Sequence, residues 1–111
     1  MTVKQCSEAI EAELLVDADP EAEITGGYTS DLLSDVMGNA PEQSVLVTIQ
    51  AHKNTVAVAS LAGIRAVVLC NGRSVPDDMR EAAEKEGISL LGTTRNQFTA
   101  SALIARELGI V

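Results

Sequence analysis

The sequence predicts an α/β domain, a three-layer α/β/α sandwich with a mostly parallel sheet. Three observations predict it. From residue 43 onward, short β-rich runs alternate with helical stretches of about 8 to 12 residues. The runs Val45–Ile49, Ala66–Cys70 and Ile88–Leu91 are nearly continuous in apolar residues, as strands covered on both faces must be. Each helical stretch closes on a glycine: Gly63, Gly87 or Gly109. Right-handed crossovers between such units place helices on both sides of the sheet.

The elements follow in order. Val3 to Glu13 reads as an amphipathic helix, with Cys6, Ile10 and Leu14 recurring every four residues. Leu14-Leu15-Val16 then enters the sheet. Asp19-Pro20 marks a turn, and Ala22 to Thr25 is expected to form a further short strand. Gly26-Gly27 reads as a bend. Thr29 or Ser30 then caps a short helix from Asp31 to Met37, which Gly38-Asn39 ends. After the strand Val45–Ile49 comes a helix from Asn54 to Leu61. After Ala66–Cys70 and the breaker Asn71-Gly72, Pro76 and Asp77 open a helix that runs to Glu86, since proline and acids both suit a first turn. The last strand, Ile88–Leu91, precedes a helix from Gln97 to Leu108.

At 111 residues the chain is long enough for one domain, expected to span residues 1–111. A chain of this size buries about 65% of its unfolded surface, enough for a core without disulfides or metal. Hydrophobic residues make up 46%, but only Tyr28 and Phe98 are aromatic, so the core must be aliphatic. The net charge of −8 argues against nucleic acid, since acids repel phosphates and too few rings are present to stack bases. That charge is uneven. Residues 1–42 hold ten acids and one base, whereas residues 43–111 hold six acids and seven bases. No apolar run approaches the roughly 20 residues a bilayer demands, no signal peptide is evident, and the two cysteines are widely spaced. A cytoplasmic protein with reduced thiols is the expectation.

Ligands of open parallel sheets bind beyond the carboxyl ends of the strands. The candidate ligand-binding residues at that edge are Asp31, Gln50, His52, Asn54, Asn71, Thr93 and Thr94. Gly72, Arg73 and Arg95 lie in the same polar loops. His52 is the only histidine, and its ordinary role is a loop residue or a cap on the following helix. Asp31 and Asp35 are one helical turn apart and would project from one face of a helix, where with His52 they could hold a divalent cation. Cys6 and Cys70 form no CxxC pair and read as core residues. No Walker A loop, G-x-G-x-x-G or nucleophile triad occurs, so neither a cofactor nor a catalytic residue is assigned.

The stretch Glu23-Ile24-Thr25-Gly26-Gly27-Tyr28-Thr29-Ser30-Asp31-Leu32-Leu33-Ser34-Asp35-Val36-Met37 resembles the DRTGG-domain family. So do Thr48 to Asn54 and Ala57-Val58-Ala59. The likeness is to small stand-alone members and covers nearly the whole chain. The naming pentad falls on Glu23 to Gly27, with Glu23 in place of Asp and Ile24 in place of Arg. The resemblance implies a fold similar to the N-terminal domain of HPr kinase/phosphorylase. It also implies a regulatory or dimerising role, as in regulatory pyrophosphatases with paired CBS modules. Stand-alone members tend to be encoded near hydrogenase or redox genes.

The expected function is therefore a non-enzymatic regulatory module, a homodimer that senses a small polar metabolite or nucleotide and is linked to a hydrogenase or redox system. The dimer contact expected is the Asp31 to Met37 segment with the Gly26-Gly27 bend. Two alternatives stand beside it. One is a metal-dependent phosphoester-handling enzyme using Asp31, Asp35 and His52. The other is a scaffold that docks a redox-enzyme partner through acids such as Glu11, Glu13, Asp17 and Glu21.

Overall fold

The apolar runs become the middle of a five-stranded sheet. The computed structural model describes residues 1–111. In chain order the elements are α1 (Val3–Ala9), β1 (Glu13–Val16), β2 (Gly26–Thr29), α2 (Leu33–Asn39), β3 (Ser44–Thr48), α3 (Lys53–Ala62), β4 (Ala66–Leu69), α4 (Asp77–Glu86), β5 (Ser89–Gly92) and α5 (Gln97–Glu107). The strand order is β1-β5-β4-β3-β2. Strands β2 to β5 run parallel, and only β1 is antiparallel, against β5. The mixed sheet with helices on both sides is the α/β sandwich expected.

Side-chain alternation along the strands builds two cores. Val45, Val47, Ala66, Val68 and Leu91 face α1 and α5, where Val3, Cys6, Ile10, Ala100 and Ile104 meet them. Leu46, Val67, Leu69 and Leu90 point the other way, onto Val36, Val56, Ala59, Met79 and Ala83 of α2, α3 and α4. No aromatic ring is among the buried residues, and Phe98 is 85% exposed. The scarcity of rings thus shows itself as two thin aliphatic layers.

The helix ends follow their sequence signals. Thr2 and Gln5 form a capping box on α1. Pro76 precedes Asp77 and Asp78 in the first turn of α4. Gly63 and Gly87 end α3 and α4 with φ of 74° and 68°, a left-handed conformation that costs glycine little.

The N-terminal third differs from expectation. α1 stops at Ala9, because Glu11 turns left-handed (φ 51°) and Glu13 already pairs with Gly92 in the sheet. Gly26-Gly27 is not a bend: both residues lie in β2, in register with Ser44 and Val45. Ala22 to Thr25 does not form a strand, and Glu23 makes only an isolated bridge to Thr2. α2 starts two residues later than expected, with Leu32 at its N-cap position in place of Thr29 or Ser30. Gly38 and Asn39 are its last residues.

Candidate functional site

Because β2 to β5 are parallel, the loops that follow them gather at one edge of the sheet. The sequence-predicted residues divide there into three groups with different local roles.

The first group is knotted around Asp31. Its Oδ1 accepts from the Thr48 hydroxyl (2.9 Å), the Ile49 amide (2.9 Å) and Gln97 Nε2 (3.0 Å). The Gln50 side chain donates to the Asp31 carbonyl at 2.9 Å. The β2–α2 loop is thereby fastened to the end of β3 and the start of α5. Burial alone would push the Asp31 carboxyl up, but these donors and the Arg73 charge outweigh it and hold the carboxyl below its usual value. Asp31 precedes α2, so it shares no helix face with Asp35. Asp35 instead accepts from the Tyr28 hydroxyl (2.8 Å) and from Asn39 (3.0 Å).

The second group is His52 and Asn54. His52 Nδ1 accepts the Asn54 amide at 3.0 Å and caps α3, the ordinary role its position suggested. Asp31, Asp35 and His52 thus each serve a local contact, and no group of three or more potential metal-ligating side chains converges anywhere. The carboxylate pair expected on one helix face is absent for a structural reason: Asp31 belongs to the loop.

The third group lines a polar cleft. One lobe, of about 390 Å³, is bounded by Ile10, Glu11, Thr93, Thr94 and Arg95. A second, of about 170 Å³, continues past the same two threonines to Gly72, Arg73 and Glu13. Three segments build it: the α1–β1 turn, the β4–α4 loop and the β5–α5 loop. The two βα loops are zipped together by Asn71 N to Arg95 O and Gly72 N to Thr93 O, each 2.9 Å. Thr93 Oγ1 (3.3 Å) and Arg95 Nε (3.2 Å) both donate to the Ile10 carbonyl, and Arg95 also pairs with Glu11. Arg73 and the Thr94 hydroxyl have no side-chain partner among the hydrogen bonds and ion pairs. Asn71 supports the wall through its backbone, in a left-handed conformation (φ 61°).

Arg73 and Arg95 stood in the polar loops of the sequence, but Glu11 did not. It is 84 residues from Arg95, and no local pattern signals that pairing.

A third concavity, of about 190 Å³, lies away from these loops, between edge strand β2 and α5. Val47, Ile104, Leu108 and Ile110 give it an apolar floor, and Thr29 shares a hydrogen bond with Ser101 at 2.6 Å beside it. The two cysteines are free and buried. Burial, with the Glu107 charge added, pushes the Cys6 thiol up to about 12. Burial, with the Asp31 charge added, pushes the Cys70 thiol up to about 11.

No family model matches the sequence, and no curated protein matches it. A solved structure does. The chain is similar to the CBS and DRTGG domains of the regulatory region of Clostridium perfringens pyrophosphatase, determined in complex with its activator diadenosine tetraphosphate. The TM-score is 0.71 at 15% identity, and the match covers 93% of this chain and 45% of that one. The fold is DRTGG-like. At that identity the likeness bears on architecture, and the DRTGG-like chain spans less than half the length of the structure it matches. No helix is long and apolar enough to cross a membrane.

Proposed function

We propose that this chain is a non-enzymatic regulatory module that senses a small polar metabolite or nucleotide at the carboxyl edge of its sheet. One observation carries the reading: three segments border an open polar cleft there, and the exposed side chains of Arg73 and Thr94 line it with donor groups that make no hydrogen bond within the chain. Such an edge is where open α/β sheets take ligands. The nucleotide-bound regulatory region of similar fold is in keeping with this. The separate engagements of Asp31, Asp35 and His52 favour a regulatory over a hydrolytic role.

A homodimer is the second part of the reading. Edge strand β2 lies in an uncharged run from Ile24 to Ser30, with no proline. The opposite edge, β1, is interrupted by a register shift between Leu14 and Val16 and covered at the Leu15 carbonyl by Arg80, which donates to it. Proteins protect the sheet edges that must stay single. The unguarded β2 edge suits a second copy of the chain, and with net charge −8 an uncharged seam is what self-pairing requires. A redox-enzyme partner rests on the family resemblance, and the exposed acids of residues 1–42 are the surface such a partner would meet.

Thermal unfolding in the presence of nucleotides, polar metabolites and divalent metals tests the sensing role. A ligand that binds only the folded state must raise its stability, by about 2.7 kcal/mol at a hundredfold excess over Kd. The expected result is a shift with at least one nucleotide or metabolite and no turnover of a phosphoester panel. Turnover that is lost in His52→Ala would overturn the non-enzymatic reading.

A further inference from the structure

We infer that the cleft binds its ligand through an anionic group, a phosphate or a carboxylate, and that this group competes with the Glu11 carboxylate for Arg95. The inference rests on the sensing role proposed above and specifies its chemistry.

The two arginines carry the argument. Arg73 lines the smaller lobe beside Glu13 with no hydrogen bond or ion pair to a side chain, although its charge reaches Asp31. The exposed Thr94 hydroxyl between the lobes has no partner either. A guanidinium is a rigid fork of donors that matches the paired oxygens of carboxylate and phosphate. Arg95 is the second fork, and part of it is already filled from within the chain. Its Nε holds the Ile10 carbonyl at 3.2 Å, and its Nη2 meets Glu11. Glu11 thus places a carboxylate on the lining of the larger lobe, against the guanidinium that an incoming anion would seek.

That internal contact is easily exchanged. The Glu11 side chain is 76% exposed and the Arg95 side chain 33%, and ion pairs in such exposure are weak. Glu11 and Asn71, on two of the segments that border the cleft, both have positive φ, as turns often do.

Exchange at Arg95 has a structural consequence. The Glu11–Arg95 pair is one of three links from the α1–β1 turn to the β5–α5 loop; Thr93 and Arg95 Nε make the other two, both to the Ile10 carbonyl. An anion that displaces Glu11 removes the side-chain link while keeping the backbone ones. The Glu11 side chain is then freed while Ile10 stays held, and occupancy is reported at the most negatively charged part of the chain.

The test is titration calorimetry at constant ionic strength with three probes: inorganic phosphate, a nucleoside monophosphate and succinate. Phosphate with the nucleotide, or succinate, identifies which anion the cleft prefers. Removing the competing carboxylate in Glu11→Gln should tighten binding by about two- to fivefold. Arg73→Gln should weaken it by about tenfold or more. Glu8→Gln removes the same charge from α1 away from the cleft and should leave Kd within about twofold, which separates competition from net charge. Equal affinities across wild type, Glu11→Gln and Arg73→Gln would overturn the inference. So would stabilisation by uncharged metabolites with none by any anion, although the sensing role would then survive. Silence with every ligand, charged or not, removes both.

Discussion

Asp31 Oδ1 accepts the backbone amide of Ile49 at 2.9 Å, across 18 residues of chain. The same oxygen receives Thr48 and Gln97, so one carboxylate atom ties the β2–α2 loop to β3 and α5. This candidate ligand residue thus also fastens its own loop to the neighbouring elements.

Removing it should be costly. Asp31→Ala leaves three donors without their acceptor and should lower stability by about 1 to 3 kcal/mol, measured by urea unfolding. Asp31→Asn keeps an acceptor oxygen and should lose less. The carboxyl is held below its ordinary value, so its stabilising contribution is present above the unfolded value of about 3.9 and is lost as pH falls through the folded one. The wild type should therefore lose its advantage over Asp31→Asn on acidification. A constant difference down to strongly acidic pH would contradict the contact.

Tyr28 and Asp35 form a second linked pair. The hydrogen bond to Asp35 raises the Tyr28 hydroxyl, and the same bond is the main cause that lowers the Asp35 carboxyl. Tyr28 is the only tyrosine, so tyrosinate absorbance reads a single group. Its titration should lie above the ordinary value of about 10, and Asp35→Asn should bring it down. Stability from this bond persists below the unfolded tyrosine value and is lost as pH rises through the folded one. An ordinary titration in the wild type would remove the contact.

Both thiols should be inert in the folded state. Burial pushes Cys6 up to about 12 and Cys70 up to about 11, which leaves almost no thiolate at neutral pH. Disulfide reagents should modify both only on unfolding, at a rate that follows denaturant concentration. Rapid labelling of the native protein would contradict this packing.

The β2 edge should respond to one lysine. A Cβ at Gly27 would meet Val45 Cγ1 at 3.7 Å and Ile104 Cγ2 at 3.9 Å, ordinary contact distances, and the residue needs no positive φ. A lysine there would lay its stem along the β2–α5 groove and keep its ammonium in water, so Gly27→Lys should fold. An inward-facing charge on an edge strand is one device that blocks pairing. Light scattering should show the wild type as a dimer and Gly27→Lys as a monomer. A wild-type monomer at high concentration would remove the dimer.

What could be read in advance follows the physics of each element. β3, β4 and β5 announced themselves because strands buried on both faces need unbroken Val, Leu and Ile, and their helices carry caps and closing glycines. Cys6, Cys70 and the capping role of His52 were legible for the same local reasons. β2 was not, because its partner β3 supplies what Gly26 and Gly27 lack in strand preference. α2 was misplaced because Ser30 and Asp31 both carry cap-type side chains that are used elsewhere. Ser30 Oγ accepts the Leu32 amide at 3.2 Å, and Asp31 reaches β3 and α5. The candidate edge residues do lie in the loops at one end of the sheet, where Asp31 and His52 also make local hydrogen bonds. The pairing that defines the cleft, Glu11 with Arg95, joins the two ends of the chain.

The most direct test of a ligand-sensing cleft is an amide-resolved NMR titration of the full chain with the best-stabilising ligand from the thermal screen. Shifts should concentrate at Glu11, Gly72, Arg73 and Thr93 to Arg95, with His52 and Asn54 little changed. Shifts centred on the His52 cap or the β2 groove, with the cleft amides unmoved, would contradict it.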